Sequence, residues 1–284
     1  MKIALAGISG FIGSYIAQYL TDKGHEIVPI TREDFKLHNI SFIITGCDAV
    51  INFTGHPILC RWTNANKTKI FESRIETTSE LVNSMSVIND PPKILINASA
   101  IGIYSPDVIN YENQYKQADN FLAEIVEAWE SEVTKAIYAD IRTIIMRLGV
   151  VIDKNGGIIK KLRPLFKMGL GGRLGNGKQK MSFIHIQDLV RAIEYFLTNP
   201  NASDVYNLTT PFPVTNKEFT KKLAAGFRKK AFFRIPACWL RLIYGKSSLL
   251  ILESSEVYPD KLLKEGFTFH YPKMDDCIDQ VCHH

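Results

Sequence analysis

The stretch Lys2-Ile-Ala-Leu-Ala-Gly7-Ile-Ser-Gly10-Phe-Ile-Gly13-Ser-Tyr-Ile-Ala-Gln-Tyr-Leu20 limits the fold more than any other. Residues 2–6 are a short apolar run, the pattern of a parallel strand buried on both faces. Three glycines at a spacing of three follow, and then Phe11, Ile12, Tyr15, Ile16, Tyr19 and Leu20 recur at helical spacing. Strand, glycine turn and helix, in that order, are what a dinucleotide site needs. Gly7 lets the chain turn out of the strand, Gly10 leaves the backbone open to a pyrophosphate, and Gly13 lets the helix lie close to the strand. The helix N-terminus, where Ser9, Phe11 and Ile12 sit among the glycines, offers unpaired N–H groups and partial positive charge to phosphates.

The same alternation continues. Residues 26–32 and 48–55 read as strands, 64–89 as a helix, 93–99 as a strand, 117–138 as a long amphipathic helix, and 141–152 as one further strand. Strands alternating with helices imply an α/β fold, a Rossmann-type doubly wound parallel sheet. After Gly156-Gly157 the pattern changes. A helix over 158–168 leads into a glycine-rich basic loop at 169–180, a short strand at 181–186, a helix at 187–197 and a strand at 205–208. Pro211-Phe-Pro213 is the clearest linker. The expected organisation is a dinucleotide-binding domain over 1–210, with 156–183 contributing to a substrate lobe, and a small, mostly helical C-terminal lobe over 211–284.

Composition excludes several classes. The chain is 46% hydrophobic and 22% charged, ordinary for a soluble globular protein. The net charge of +5 is mild and the basic residues read as scattered, so nucleic acid is not an expected partner. No apolar run reaches the length of a membrane span, and no leader precedes the first strand, so no membrane partner is expected. Five cysteines, without a C-x-x-C, fit a reduced, cytoplasmic protein. Cys277, Cys282, His283 and His284 cluster at the tail, but nothing flanks them to complete a metal site, and none is expected.

Thr31-Arg32, at the end of the second strand, bears on the cofactor. An NAD site places an acid here, on the ribose hydroxyls. Arg32 comes before Glu33 and Asp34, and a guanidinium can stack on adenine and grip the 2′-phosphate of NADP(H). Phe53-Thr54-Gly55 should wall the path from adenosine to pyrophosphate. Arg74 either reaches the cofactor or pairs with Glu72 or Glu76. Val150 either lines the nicotinamide pocket or belongs to the core. The loop at 169–180, with Arg173, Lys178 and Lys180, either holds an anion or covers the cleft.

Gly7-x-x-Gly10-x-x-Gly13, Asn97-Ala-Ser-Ala-Ile-Gly-Ile-Tyr104 and Phe183-Ile-His185-Ile-Gln-Asp188 resemble an extended or atypical short-chain dehydrogenase/reductase. Arg61-Trp62, Ser73-Arg74-x-x-Thr77-Thr78, Ala128-Trp129-Glu130, the 169–177 loop and Pro213-Val-Thr-Asn216-Lys-Glu-Phe219 are similar to an uncharacterised NAD-dependent epimerase/dehydratase-like branch with a small C-terminal domain. The resemblance implies NADP(H) and an epimerase- or dehydratase-like oxidoreductase acting on an unidentified small substrate, sugar- or nucleotide-linked compounds among the candidates. A homodimer is left open. The alternative is a non-catalytic NADP(H)-binding redox sensor or regulator; some members carry a cell-division-inhibitor label.

One departure stands out. Active short-chain reductases use Tyr-x-x-x-Lys, in which lysine lowers the tyrosine pKa. Here Phe121 and Ile125 stand in the expected region, and Tyr19-x-x-x-Lys23 falls at the end of the first helix. Ser99 resembles the assisting hydroxyl, with Ala100 as the alternative register. Tyr104 is the first candidate for a substitute proton relay, with Tyr111 and Tyr115 beside it. His185 with Asp188 is a pair suited to acid–base catalysis, but the resemblance implies that they hold structure at the cleft edge.

Overall fold

The computed structural model describes residues 1–106 and 108–283, the last without its side chain. Along the chain come β1 (Lys2–Ala6), α1 (Phe11–Asp22), β2 (Glu26–Ile30), α2 (Arg32–Lys36), α3 (Ile40–Ile44), β3 (Ala49–Asn52), α4 (Asn64–Ser86) and β4 (Ile94–Ala100). Next are β5 (Ile109–Asn110), α5 (Phe121–Thr134), β6 (Arg142–Leu148), β7 (Val150–Ile152), α6 (Gly157–Lys167), β8 (Gly172–Leu174), β9 (Lys180–Met181), β10 (Phe183–His185), α7 (Ile186–Thr198) and β11 (Asp204–Leu208). The remainder forms β12 (Val214–Thr215), α8 (Asn216–Gly226), β13 (Phe233–Ile235), α9 (Ala237–Tyr244), α10 (Leu249–Leu252), β14 (Glu256–Val257), α11 (Asp260–Lys264) and α12 (Met274–His283).

Six strands make one sheet in the order β11-β6-β4-β3-β1-β2, and every neighbouring pair is parallel. Both faces are covered, which is why its strands read as unbroken apolar runs rather than as alternation. Successive side chains still point to opposite faces. Ile3 and Leu5 pack with Ile16 and Leu20 of α1 and Leu189 and Ile193 of α7. Ala4 and Ala6 face the other layer, with Leu81 and Met85 of α4 and Trp129 and Val133 of α5. The order reverses outward from β1 and β3, so their carboxyl ends flank a crevice at the topological switch point.

The strand expected over 141–152 is broken. β6 ends at Leu148, and β7 leaves the sheet to pair with β10. Gly149 makes the break possible, because a Cβ there would lie 2.8 Å from the Ser182 carbonyl oxygen and 2.9 Å from the Thr209 methyl. The 169–180 segment is also no free cover. β8 pairs with β13 and β9 with β12, so its two ends are tied to the later chain. α6, α8 and α12 enclose a separate core of Ile159, Phe166, Phe219, Leu223, Met274 and Ile278 beyond the sheet's carboxyl edge. Of the tail residues singled out in the sequence, Cys277 is buried and Cys282 half-buried, while the His283 side chain and His284 lie outside the described residues.

Candidate cofactor and substrate cleft

The glycine turn is built for close backbone approach. Gly7 has φ +88°, and a Cβ on it would fall 2.6 Å from the Phe53 carbonyl oxygen. A Cβ on Gly13 would fall 2.1 Å from the Gly7 carbonyl oxygen, so only glycine lets α1 lie on the end of β1. Gly10 differs. Its N–H donates to the Gly7 carbonyl at 3.0 Å, and its missing Cβ faces only that oxygen, at 3.2 Å. Gly10 is also the N-cap of α1, with no side-chain cap and no acid in the first turn. The N–H groups of Phe11, Ile12 and Gly13 therefore have no intrahelical partner, the arrangement that binds anions. Ile12 lines the cleft, Ser9 is exposed, and the Phe11 ring packs on Gly156, where an added Cβ would come 2.0 Å from it. Only the backbone of Phe11 remains available to a cofactor.

At the end of β2, Thr31 caps α2. Its hydroxyl and N–H both meet the Asp34 carboxylate, at 2.6 and 2.7 Å, and the Asp34 N–H returns to the Thr31 hydroxyl. Those bonds hold the Asp34 carboxyl below its usual range. Glu33 pairs with Lys36 at 3.0 Å. Both acids near the ribose position are thus engaged, whereas Arg32 is exposed and has no ion pair among the described residues.

Beyond β3, Asn52 organises the crevice. Its amide donates to Asn97 at 2.7 Å and Thr78 at 3.0 Å, and its oxygen accepts from the Thr54 N–H and hydroxyl. Trp129 Nε1 also donates to Thr78, at 2.8 Å. This buried lattice fixes Phe53-Thr54-Gly55. Sequence reading missed Asn52 and Asn97, although both are polar residues inside apolar strands, a signal of a satisfied buried network. Arg74 makes no ion pair with Glu72 or Glu76. Its Nη1 donates to the carbonyls of His56 and Ile70, its guanidinium lies over Trp129 at 5.3 Å, and Nη2 would be 3.0 Å from a Cβ on Gly55. Burial without a carboxylate partner pulls its pKa down to about 10. Arg74 lines the cleft with no carboxylate partner among the described residues.

The cleft has a volume of about 480 Å³. One wall is the sheet edge, from Ile12, Phe53–Gly55, Ala98–Gly102 and Leu148–Val150; the other comes from Leu174, Lys180–Ser182, Asn216 and Leu249–Ile251. Val150 is a half-buried lining residue that also packs against the outer core. Arg173 and Lys178, expected to meet an anion or cover the cleft, are not among its lining residues, while Lys180 is.

Ser99 and Tyr104 reach the cleft wall, but their hydroxyls are engaged behind it. Ser99 donates to Glu130 at 2.6 Å. Glu130 receives Arg147 Nε and Nη2 at 2.9 and 2.7 Å. Arg147 Nη1 donates to the Tyr104 hydroxyl at 2.9 Å, and that hydroxyl donates to Asn207 at 2.6 Å. Burial pushes Tyr104 up to about 12, against the pull of Arg147. Both hydroxyls, the sequence's candidates for catalysis, are thus held in one buried network behind the cleft wall. Tyr115 lies edge-on to Tyr104 and Tyr111 stacks on Tyr258; neither lines the cleft. Phe121 is turned against Trp62, at 5.0 Å, while Leu122 and Ile125 face the cleft.

The remaining candidates are structural. His185 Nδ1 accepts the Gln187 N–H at 3.3 Å and caps α7, and burial holds its pKa down. Asp188 accepts the N–H groups of His270 and Tyr271 and pairs with Arg191. Tyr19 and Lys23 both meet Glu194 and tie α1 to α7.

Comparison with known proteins agrees with this architecture. Residues 3–209 match the NAD dependent epimerase/dehydratase family, and residues 235–281 match a domain of unknown function, DUF1731. An Arabidopsis thaliana protein, "Epimerase family protein SDR39U1 homolog, chloroplastic", is 32% identical, the alignment covering 99% of this chain and 86% of that one. The epimerase family protein MW0731 of Staphylococcus aureus is also 32% identical, over 98% of this chain and 97% of its own. Among solved structures, human epimerase family protein SDR39U1 with NADPH superposes with a TM-score of 0.90 at 26% identity, covering 100% of both chains.

Proposed function

The chain belongs to the NAD dependent epimerase/dehydratase family, and from that premise we propose that it is an oxidoreductase that binds NADP(H) in preference to NAD(H) and acts on a small, largely apolar substrate. The capping box after β2 carries the cofactor choice. Asp34 Oδ2 is tied to Thr31 within that box, while the neighbouring Arg32 is exposed and without an ion pair among the described residues, available to a 2′-phosphate. The human relative solved with NADPH supports the same choice.

The residues present fit such a cofactor. Gly10 leaves a cradle that a side chain would fill, and the uncapped N-terminus of α1 would hold the pyrophosphate. Arg74 has cationic N–H groups to offer an anion in the same crevice. When bound, the nicotinamide gives or takes a hydride. The chain's own contribution is to bind, orient and exclude water through Leu148, Val150, Ile158 and Met181.

The lining also bears on the substrate. The Ser182 hydroxyl donates toward the carbonyls of Ser255 and Val257, and the Asn216 side-chain oxygen accepts from the Leu174 N–H, so the Ser182 hydroxyl and the Asn216 oxygen are already engaged. Ile101, Leu122, Ile125, Val126 and Leu249 leave few partners for sugar hydroxyls. Arg74 and Lys180 would suit one anionic group at an edge. A second reading, a non-catalytic redox sensor, is favoured by Phe121 and Ile125 in the place of a proton-relay pair.

Calorimetry with NADPH and NADH tests the cofactor assignment, and equal affinities would overturn it. Turnover of NADPH with a panel of aliphatic aldehydes, ketones and enones, set beside UDP-sugars, tests the rest. Turnover of UDP-sugars would overturn the apolar substrate, and no turnover alongside tight NADPH binding would favour the sensor.

A further inference from the structure

Between residues 227 and 252 the chain carries Arg228, Lys229, Lys230, Arg234, Arg241 and Lys246 and no Asp or Glu. The basic residues that read as scattered therefore have one concentration, whose +6 exceeds the whole chain's net charge of +5. All six side chains are exposed, and none is in an ion pair among the described residues.

The same segment exposes large apolar side chains. Phe232 is 80% exposed, and on α9 Trp239, Leu242 and Ile243 are 59%, 67% and 58% exposed, while Leu240 turns inward. At 100° per residue, Trp239, Leu242 and Ile243 share one stripe of the helix, and Arg241 lies off it. The stripe's root is firm, because β13 just before α9 is paired with β8.

We propose that this face docks on an anionic lipid surface. Exposed Trp, Phe, Leu and Ile side chains in a segment that carries six exposed cations and no acid have the chemistry of an interfacial segment: the apolar side chains enter the headgroup boundary and the cations meet lipid phosphates. No helix among the described residues is long and apolar enough to cross a membrane, so the contact is peripheral. The surface also runs toward the cleft, since Leu250 is 38% exposed and lines it. The proposal goes beyond the oxidoreductase reading and does not depend on it.

The test is co-sedimentation of the full chain with phosphatidylcholine vesicles, with and without phosphatidylglycerol, together with tryptophan fluorescence. The expected result is binding about tenfold or more tighter with phosphatidylglycerol, a blue shift lost in Trp239→Phe, and release by high salt. The double variant Lys229→Gln/Lys230→Gln should weaken binding. Trp239→Ser/Leu242→Ser should abolish it while circular dichroism and the melting temperature stay unchanged. No binding to the anionic vesicles, or equal binding to both vesicle types, would overturn the proposal. So would a wild-type dimer that this second double variant makes monomeric, which would assign the face to a second copy. Competition by polyglutamate that removes the blue shift and leaves an equal affinity for the peptide would assign it to an acidic protein instead.

Discussion

Glu130 of α5 and Arg147 of β6 form a buried two-pronged ion pair immediately behind the cleft wall, with N···O distances of 2.9 and 2.7 Å. Burial alone would lower the Arg147 pKa, but Glu130 and Tyr104 outweigh it and hold the guanidinium above its ordinary value. Breaking one side leaves an uncompensated charge inside the protein. Glu130→Ala or Arg147→Met should each cost about 3–5 kcal/mol in urea unfolding, and Glu130→Leu with Arg147→Met much less than the two together. Additive losses would mean that the pair is not coupled.

Tyr104 sets an alkaline limit on stability. Its folded pKa, about 12, lies above the ordinary 10.0, so the folded state keeps a proton that the unfolded chain releases between those values. Its stabilising contribution is complete below about pH 10 and is lost as pH rises toward 12. Tyr104→Phe should flatten this part of the decline in urea midpoints measured across the range. It should also destabilise the protein by about 1–3 kcal/mol at neutral pH, because Asn207 and Arg147 lose a partner. If turnover is found, a merely few-fold change in this variant is expected; total loss in a folded protein would restore Tyr104 as a catalytic group.

Arg32→Ala should weaken NADPH binding by roughly 10- to 100-fold, the equivalent of about 1.5–3 kcal/mol for lost charge-assisted bonds. NADH binding should barely change. Calorimetry on both cofactors reads the difference, and an unaltered NADPH affinity would remove Arg32 from the site.

Gly10 and Gly13 should separate binding from folding. Gly13→Ala drives a Cβ to within 2.1 Å of a backbone oxygen and should destabilise by about 3 kcal/mol or more. At Gly10 the corresponding contact is 3.2 Å, so Gly10→Val should fold and yet fail to bind NADPH. Thermal melts paired with cofactor titrations distinguish the two, and normal binding by Gly10→Val would place the phosphates elsewhere.

Much of the sheet could be read from the sequence because buried parallel strands and amphipathic helices leave local periodic signals. What escaped was set by distant contacts. The break at Gly149 depends on Ser182 and Thr209, and the pairing of the 169–180 segment depends on Phe233 and Val214. Of the residues read as cofactor contacts, Ile12, Phe53, Thr54, Gly55, Arg74 and Val150 line the cleft. The fate of the Ser99 and Tyr104 hydroxyls was not legible, because Glu130, Arg147 and Asn207 meet them only after folding. Arg74 illustrates the same limit, since Glu72 and Glu76 are near it in sequence and yet form no ion pair with it.

The turn at Gly149 makes the cleft a matter of mechanical leverage. The chain passes from β6 in the sheet to β7 in the outer layer across this one residue, and Leu148, Gly149 and Val150 all line the cleft. There is no slack tether here to absorb displacement. Any rocking of the outer layer against the sheet would bend the backbone that forms the cleft floor, so the width of the opening and the shape of its base would change as one coordinate.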